Sequence, residues 1–244
     1  MEETKPKPEP FGPMLLKGQT FFPIKMVLYG DPGLGKTRLL VTAPKPLIFE
    51  FDPEGELSIA DSGVPFFKIQ SMNELRRAWN WMWRNKETFQ TVGIDSLTNL
   101  QRIGIDELVD PSELDVGQRN WGHSFRQMRS LIMGLTSMQK HVVFICSERL
   151  RDDKLTELKI AVPNVTPSVA TLLNDHCRVI GRITVRRERI EEGIKLVPQI
   201  TFYNSGRFWG KDTSGRLPHT IKGDQVNLTW IFNQINKRRE TNNG

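Results

Sequence analysis

Eight consecutive residues, Gly30-Asp-Pro-Gly-Leu-Gly-Lys-Thr37, constrain what this chain can become more than any other stretch. They match G-x-x-x-x-G-K-[ST] in full, and at ordinary residue frequencies chance produces on the order of 0.01 such matches in a chain this long. Ile24 to Tyr29, in front, reads as a buried strand, and a helix is predicted from about Gly35 to Thr42, stopped by Pro44 and Pro46. A glycine-rich turn between strand and helix lets backbone N–H groups face phosphate oxygens, with the positive end of the helix dipole behind them. Lys36 then supplies a point charge to β- and γ-phosphates and Thr37 a hydroxyl to Mg²⁺. The nucleotide contacts therefore fall on Gly30, Asp31, Pro32, Gly33, Leu34, Gly35, Lys36, Thr37 and Arg38, with ATP and Mg²⁺ as the cofactors.

Such a loop needs a sheet to carry it, and the rest of the pattern supplies one. Short apolar strands are predicted at 46–51, 64–69, 89–94 and 141–146, alternating with helices at 71–84, 97–109 and 121–138. Ser71-Met-Asn-Glu74 is a capping box, and Leu75, Ala78, Trp79, Met82 and Trp83 follow it at core spacing. Residues 147–165 read as charged and strand-poor, and a short helix begins near Pro167. Residues 178–187 and 194–203 form a predicted hairpin around Glu191-Glu-Gly193, and a last amphipathic helix runs over 225–238. The expectation is an α/β fold: a mostly parallel central sheet flanked by helices, with a C-terminal antiparallel hairpin. It occupies one domain over residues 21–240, behind a flexible proline-rich tail of residues 1–20.

Composition excludes more than it selects. With 38% hydrophobic and 25% charged residues, the chain is neither wholly disordered nor collagenous nor a coiled coil. A net charge of +6 permits nucleic-acid binding without demanding it. Cys146 and Cys177 are too few for a disulfide framework or a cysteine-rich zinc site, so no metal beyond Mg²⁺ is expected and a reducing cytoplasm is the expected home. No apolar run approaches the roughly 20 residues that span a bilayer, and the polar start is unlike a signal peptide, so no membrane association is expected.

Two acidic features lie where ligands meet such sheets. Thr91-Val-Gly-Ile-Asp95-Ser96 is a strand ending in Asp, which places Asp95 as the carboxylate of the magnesium shell. Phe49-Glu50-Phe51-Asp52-Pro-Glu54-Gly55 offers three acids, any of which could orient the attacking water; spacing alone leaves the choice open. Further along, Arg178, Arg182 and Arg186 share a face if the segment is a strand. That face could bind phosphate, pair with a neighbouring subunit's acids or be solvated.

Taken together, the phosphate loop, Phe51-Asp-Pro-Glu-Gly55, Val92-Gly-Ile-Asp-Ser96, Trp121-Gly122, the strand at 141–146 and Lys211-Asp212 resemble the RecA/RadA-type recombination ATPases. Within them the chain resembles the compact phage-encoded single-strand annealing proteins, over roughly residues 23–220. The resemblance implies a RecA-like core that hydrolyses ATP, binds single-stranded DNA, promotes annealing or strand pairing, and assembles as a ring or filament. A single-strand-binding protein is a candidate partner, and host cytoplasm the location if the chain is phage-encoded. It assigns water activation to Glu54 and γ-phosphate sensing to Ser147, where many recombinases have Gln. It puts DNA loops at 110–120 and 148–165, with Arg119, Arg149, Arg151 and Lys154 as DNA contacts, although the second loop balances four bases against four acids. It also implies that Lys211 and Arg216 reach the γ-phosphate of a neighbouring subunit.

The alternative is another DNA-processing P-loop ATPase, such as a helicase, loader or packaging motor. A small-molecule kinase would need an acceptor pocket and an arginine-rich lid that the sequence does not display.

Overall fold

The computed structural model describes residues 22–109, 117–153, 157–190 and 193–237; the tail at 1–20, most of the loop at 110–120, and Lys154 lie outside them. In chain order the elements are β1 (Lys25–Gly30), α1 (Lys36–Val41), β2 (Pro46–Glu50), β3 (Phe66–Lys68), α2 (Met72–Arg84), β4 (Thr91–Asp95), α3 (Leu97–Asp106) and α4 (Gln118–Ser137). They continue with β5 (His141–Asp152), β6 (Lys159–Pro163), α5 (Pro167–His176), β7 (Val179–Ile190), β8 (Gly193–Thr201), β9 (Lys211–Asp212), β10 (Thr220–Lys222) and α6 (Leu228–Asn236).

The strands form one sheet in the order β10-β8-β7-β1-β5-β4-β2-β3, with β6 attached to β5 and β9 to β7. From β7 through β3 the neighbours run parallel, while β8 returns antiparallel to β7. This is the expected α/β architecture, including its C-terminal antiparallel hairpin.

Every residue of β1 and β4 is buried, because helices cover both faces of the parallel region. Alternation sends Val27 and Tyr29 to one core with α2, α3, α4 and α5, and Met26 and Leu28 to a second core with α1 and α6. Ser71 caps α2 as expected, its Oγ accepting from the Glu74 N–H at 3.2 Å, while Glu74 Oε2 reaches one residue further back than a capping box requires and accepts from the Gln70 N–H at 2.7 Å.

One expectation is corrected. Residues 147–165 are not strand-poor: β5 continues to Asp152 and pairs antiparallel with β6, from Glu148 opposite Pro163 to Asp152 opposite Lys159. The extension is held by distant parts of the chain rather than by local apolar alternation. Tyr29 Oη donates to the carbonyls of Ala161 (3.1 Å) and Trp209 (2.6 Å), and Ala161 bridges to Phe208. Arg182 of β7 grips Glu148 through Nε (2.8 Å) and Nη2 (2.7 Å). Both hairpins, β5–β6 and β7–β8, thus extend past the end of β1 from which the phosphate loop departs.

Candidate functional site

β1 ends at Gly30 in mid-sheet, between β5 and β7, and the strand order places the chain's return, β2, beyond β5 and β4. Ligands meet open α/β sheets at such a crevice beyond the strand ends. The loop that follows needs glycine for its conformation at two points: Gly33 (φ 79°) and Gly35 (φ 75°) lie in the left-handed region. Lys36 folds back across the loop, Nζ donating to the carbonyls of Gly30 (2.9 Å) and Asp31 (2.6 Å).

A cleft of about 1180 Å³ opens over this loop, lined by Gly33, Gly35, Lys36, Thr37, Asp52, Glu54, Asp95 and Ser147 among others. Pro32 and Arg38 also face it. Leu34 does not; its side chain packs on the second core and anchors the loop. Asp31 is exposed and Gly30 buried in the strand end. The structure therefore brings the phosphate loop, Asp52, Glu54, Asp95 and Ser147 to one place.

Asp95 is 2% exposed, and burial pushes its carboxyl up to about 6, opposed by a hydrogen bond from Thr37 and the charge of Lys36. Its Oδ2 is buried without a partner. A hydroxyl beside a carboxylate oxygen with a free lone pair is an all-oxygen donor set, which fits Mg²⁺, an ion that keeps waters and phosphate oxygens for its remaining positions. Among the described residues no cluster of three or more His, Cys, Asp or Glu could hold a metal by itself. The Asp95–Ser96 peptide is cis.

The three acids after β2 separate cleanly in the structure. Glu50 is fully buried, and burial first, then Asp95, pushes it up to about 8. Asp52 is half-buried and shifted upward by burial, with Lys36 and Arg102 pulling the other way. Glu54 is exposed on the cleft wall, just before the 3-10 turn Gly55–Ser58. Ser147 sits level with Gly30 across the β1–β5 pairing. Its backbone N–H and its Oγ both donate to Thr98 Oγ1 (3.1 and 3.2 Å), a partner that sequence reading missed because Thr98 lies 49 residues away on α3.

The remaining candidates are dispersed. Arg119 is exposed in the first turn of α4. Arg149 is half-buried, with Nε buried and unpartnered, and Arg151 stands 5.7 Å over the Trp209 ring. The arginine face is split by its neighbours: Arg178 lies over Phe22 at 5.8 Å, Arg182 pairs with Glu148, and Arg186 approaches Glu188 at 3.9 Å. Arg182 is thus spent inside its own chain, an outcome absent from the three readings of the sequence. Lys211 pairs in register with Ile180, toward the start of β7, and donates to the Asn174 carbonyl. Arg216 donates to the carbonyls of Ile235 and Lys237 (2.7 Å for the latter), closing the end of α6. Within one chain both lie away from the phosphate loop.

A central parallel sheet with a phosphate loop at its middle strand, a buried Asp beside the loop's Thr, and acids on the cleft wall define a P-loop ATPase. A family model described as AAA domain matches residues 23–214, and the chain belongs to that family. Among solved structures it is similar to a KaiC-like protein from the hyperthermophilic archaeon Pyrococcus horikoshii OT3. The two are 12% identical, with a TM-score of 0.40 over 74% of this chain and 79% of that one. No curated protein matches the chain. No helix among the described residues is long and apolar enough to cross a membrane.

Proposed function

We propose that this ATPase acts in DNA recombination, binding single strands and promoting their annealing or pairing as a homo-oligomer. One observation supports the hydrolytic half above all: a single cleft gathers the phosphate loop, Lys36, the Thr37–Asp95 pair, Asp52 and Glu54. In ATP hydrolysis the water oxygen bonds to the γ-phosphorus as the bond to the β–γ bridging oxygen breaks, so the residues have to hold phosphates, neutralise charge and orient water. Loop N–H groups hold the phosphate oxygens, and Lys36 exchanges the Gly30 and Asp31 carbonyls for them. Thr37 and Asp95 would hold Mg²⁺, which when bound supplies Lewis-acid neutralisation of the β- and γ-oxygens. Glu54, free on the wall, orients the water, and Ser147 reports the γ-phosphate to β5.

The DNA half is supported by the two hairpins that flank this end of β1. One carries Arg149, Arg151 and Lys159 beside Glu148, Asp152 and Glu157, the other Arg187, Arg189 and Lys195 beside Glu188. Cations on projecting arms suit a phosphate backbone. Ser147 and Glu148 join the two halves, since one faces the cleft and the next residue clamps β7.

The test is a titration of a labelled single strand with the full chain, with and without a non-hydrolysable ATP analogue, at rising salt. Binding is expected to tighten with the analogue and weaken with salt as counterions are released. Binding indifferent to nucleotide, or a preference for duplex with directional movement, would favour a helicase or motor instead.

A further inference from the structure

The turn that carries Glu54 rests on a side chain that does not reach the cleft. Glu50 ends β2, is fully buried, and is not part of the cleft wall. Its Oε1 accepts from the Asp52 N–H at 2.8 Å, while its Oε2 is buried without a partner. Across the β2–β4 pairing its register partner is Asp95, whose Oδ2 is likewise buried and open. On the other side the carboxyl presses against Gly55: a Cβ there would overlap Cδ and both oxygens of Glu50. Gly55 is not among the glycines with positive φ. Glycine at 55 therefore answers a demand for space made by Glu50, not a demand for backbone conformation.

Glu50 thus touches both ends of the Asp52–Gly55 turn, one by a hydrogen bond and the other by contact. A buried carboxyl with an open oxygen is costly, and an apolar residue in the strand, as at Leu47, Ile48 and Phe49, would avoid that cost.

Resting on the hydrolytic reading above, we infer that Glu50 is a positioning residue: from beneath, it fixes the Asp52–Gly55 turn and so sets where Asp52 and Glu54 stand over the phosphate loop. What the turn needs is an acceptor oxygen at this reach and a group of this shape. Glutamine supplies both. Leucine supplies volume alone.

The experiment measures steady-state ATP hydrolysis by the full chain beside an independent titration with a fluorescent ATP analogue and Mg²⁺. Glu50→Leu is expected to lower kcat by about 100-fold, as misplacement of a reacting group does. Nucleotide Kd should stay within about threefold, because the phosphate loop is untouched. Glu50→Gln should keep most of the turnover, a rescue that a need for mere volume would not give. Gly55→Ala should mimic Glu50→Leu by displacing the carboxyl. Adding Glu50→Ala to Gly55→Ala should relieve the overlap yet leave turnover low, since the Asp52 N–H then has no acceptor. If Glu50→Leu fails to fold, Gly55→Ala and Glu50→Gln decide. Full turnover in Glu50→Leu or in Gly55→Ala would overturn the inference, and if Glu54→Gln is inactive at the same time the hydrolytic reading stands without it. A wild-type chain that binds ATP but never hydrolyses it would overturn both.

Discussion

Lys36 spends its charge on carbonyls of its own loop while standing ready for phosphate. Lys36→Ala is expected to weaken ATP binding by about 10- to 100-fold, the worth of a charged hydrogen bond. Its melting temperature should stay close to wild type, because no core contact is lost; calorimetric titration and a thermal melt check both. Glu54→Gln should bind ATP normally and hydrolyse it at least about 100-fold more slowly, since an amide cannot polarise water as a carboxylate does. The same change at Glu50 should do less, and the reverse order of the two rates would move water activation to Glu50. The phosphate loop was legible in the sequence because its chemistry demands fixed residue types at fixed offsets. Glu50 was not, because parity along an extended strand puts Glu50 and Asp52 on one side, whereas β2 stops at Glu50 and the chain turns.

Elements that lie in the buried sheet were readable from apolar runs, and elements that leave it were not. β5 is buried through Cys146 and progressively exposed to Asp152, so its outer half offers no hydrophobic pattern and its charges balance. Its pairing with β6 depends on Tyr29, Phe208 and Arg182, contacts that local sequence cannot announce. Arg182→Ala should strand the nearly buried Glu148 and cost about 3 kcal/mol, read as a lower denaturation midpoint. Replacing both with apolar residues should recover most of it. On the same arm, replacing Arg149 and Arg151 together should flatten the salt dependence of single-strand binding. An unchanged slope would move the DNA contact to Arg187 and Arg189 on β7. At the opposite end of the sheet, His141 Nδ1 accepts from the Ile24 N–H at 3.0 Å and its ring stacks on Phe232 of α6 at 4.1 Å. Burial first, then Lys25, pulls its pKa down to about 4. Between that value and the ordinary one near 6.5, the unfolded chain holds a proton that the native chain refuses, so acidification through this window destabilises the fold. Urea midpoints should fall from about pH 6.5 to about pH 4, less so in His141→Gln.

For the whole molecule, the sequence specified the class of fold but not the strand order, and β9 and β10 are too short for any periodicity to mark them. It also offered Lys211 and Arg216 as cations for a neighbour's phosphate, and within one chain they bond carbonyls at the other end of the structure. If assembly carries them to a neighbour's cleft, hydrolysis per subunit should rise with protein concentration. A Lys211→Ala, Arg216→Ala chain mixed with Lys36→Ala should then regain activity that neither has alone. Arg216→Ala should also lower the melting temperature, because the end of α6 loses its partner, so Lys211→Ala is the cleaner single change. The most direct measurement is Mg²⁺-dependent ATP hydrolysis by the full chain and by Lys36→Ala, each without DNA, with single-stranded DNA and with duplex. Turnover is expected in the wild-type chain alone, raised by single strands more than by duplex; no turnover under any condition, or turnover that Lys36→Ala retains or single strands leave unchanged, would rule out a single-strand-stimulated ATPase.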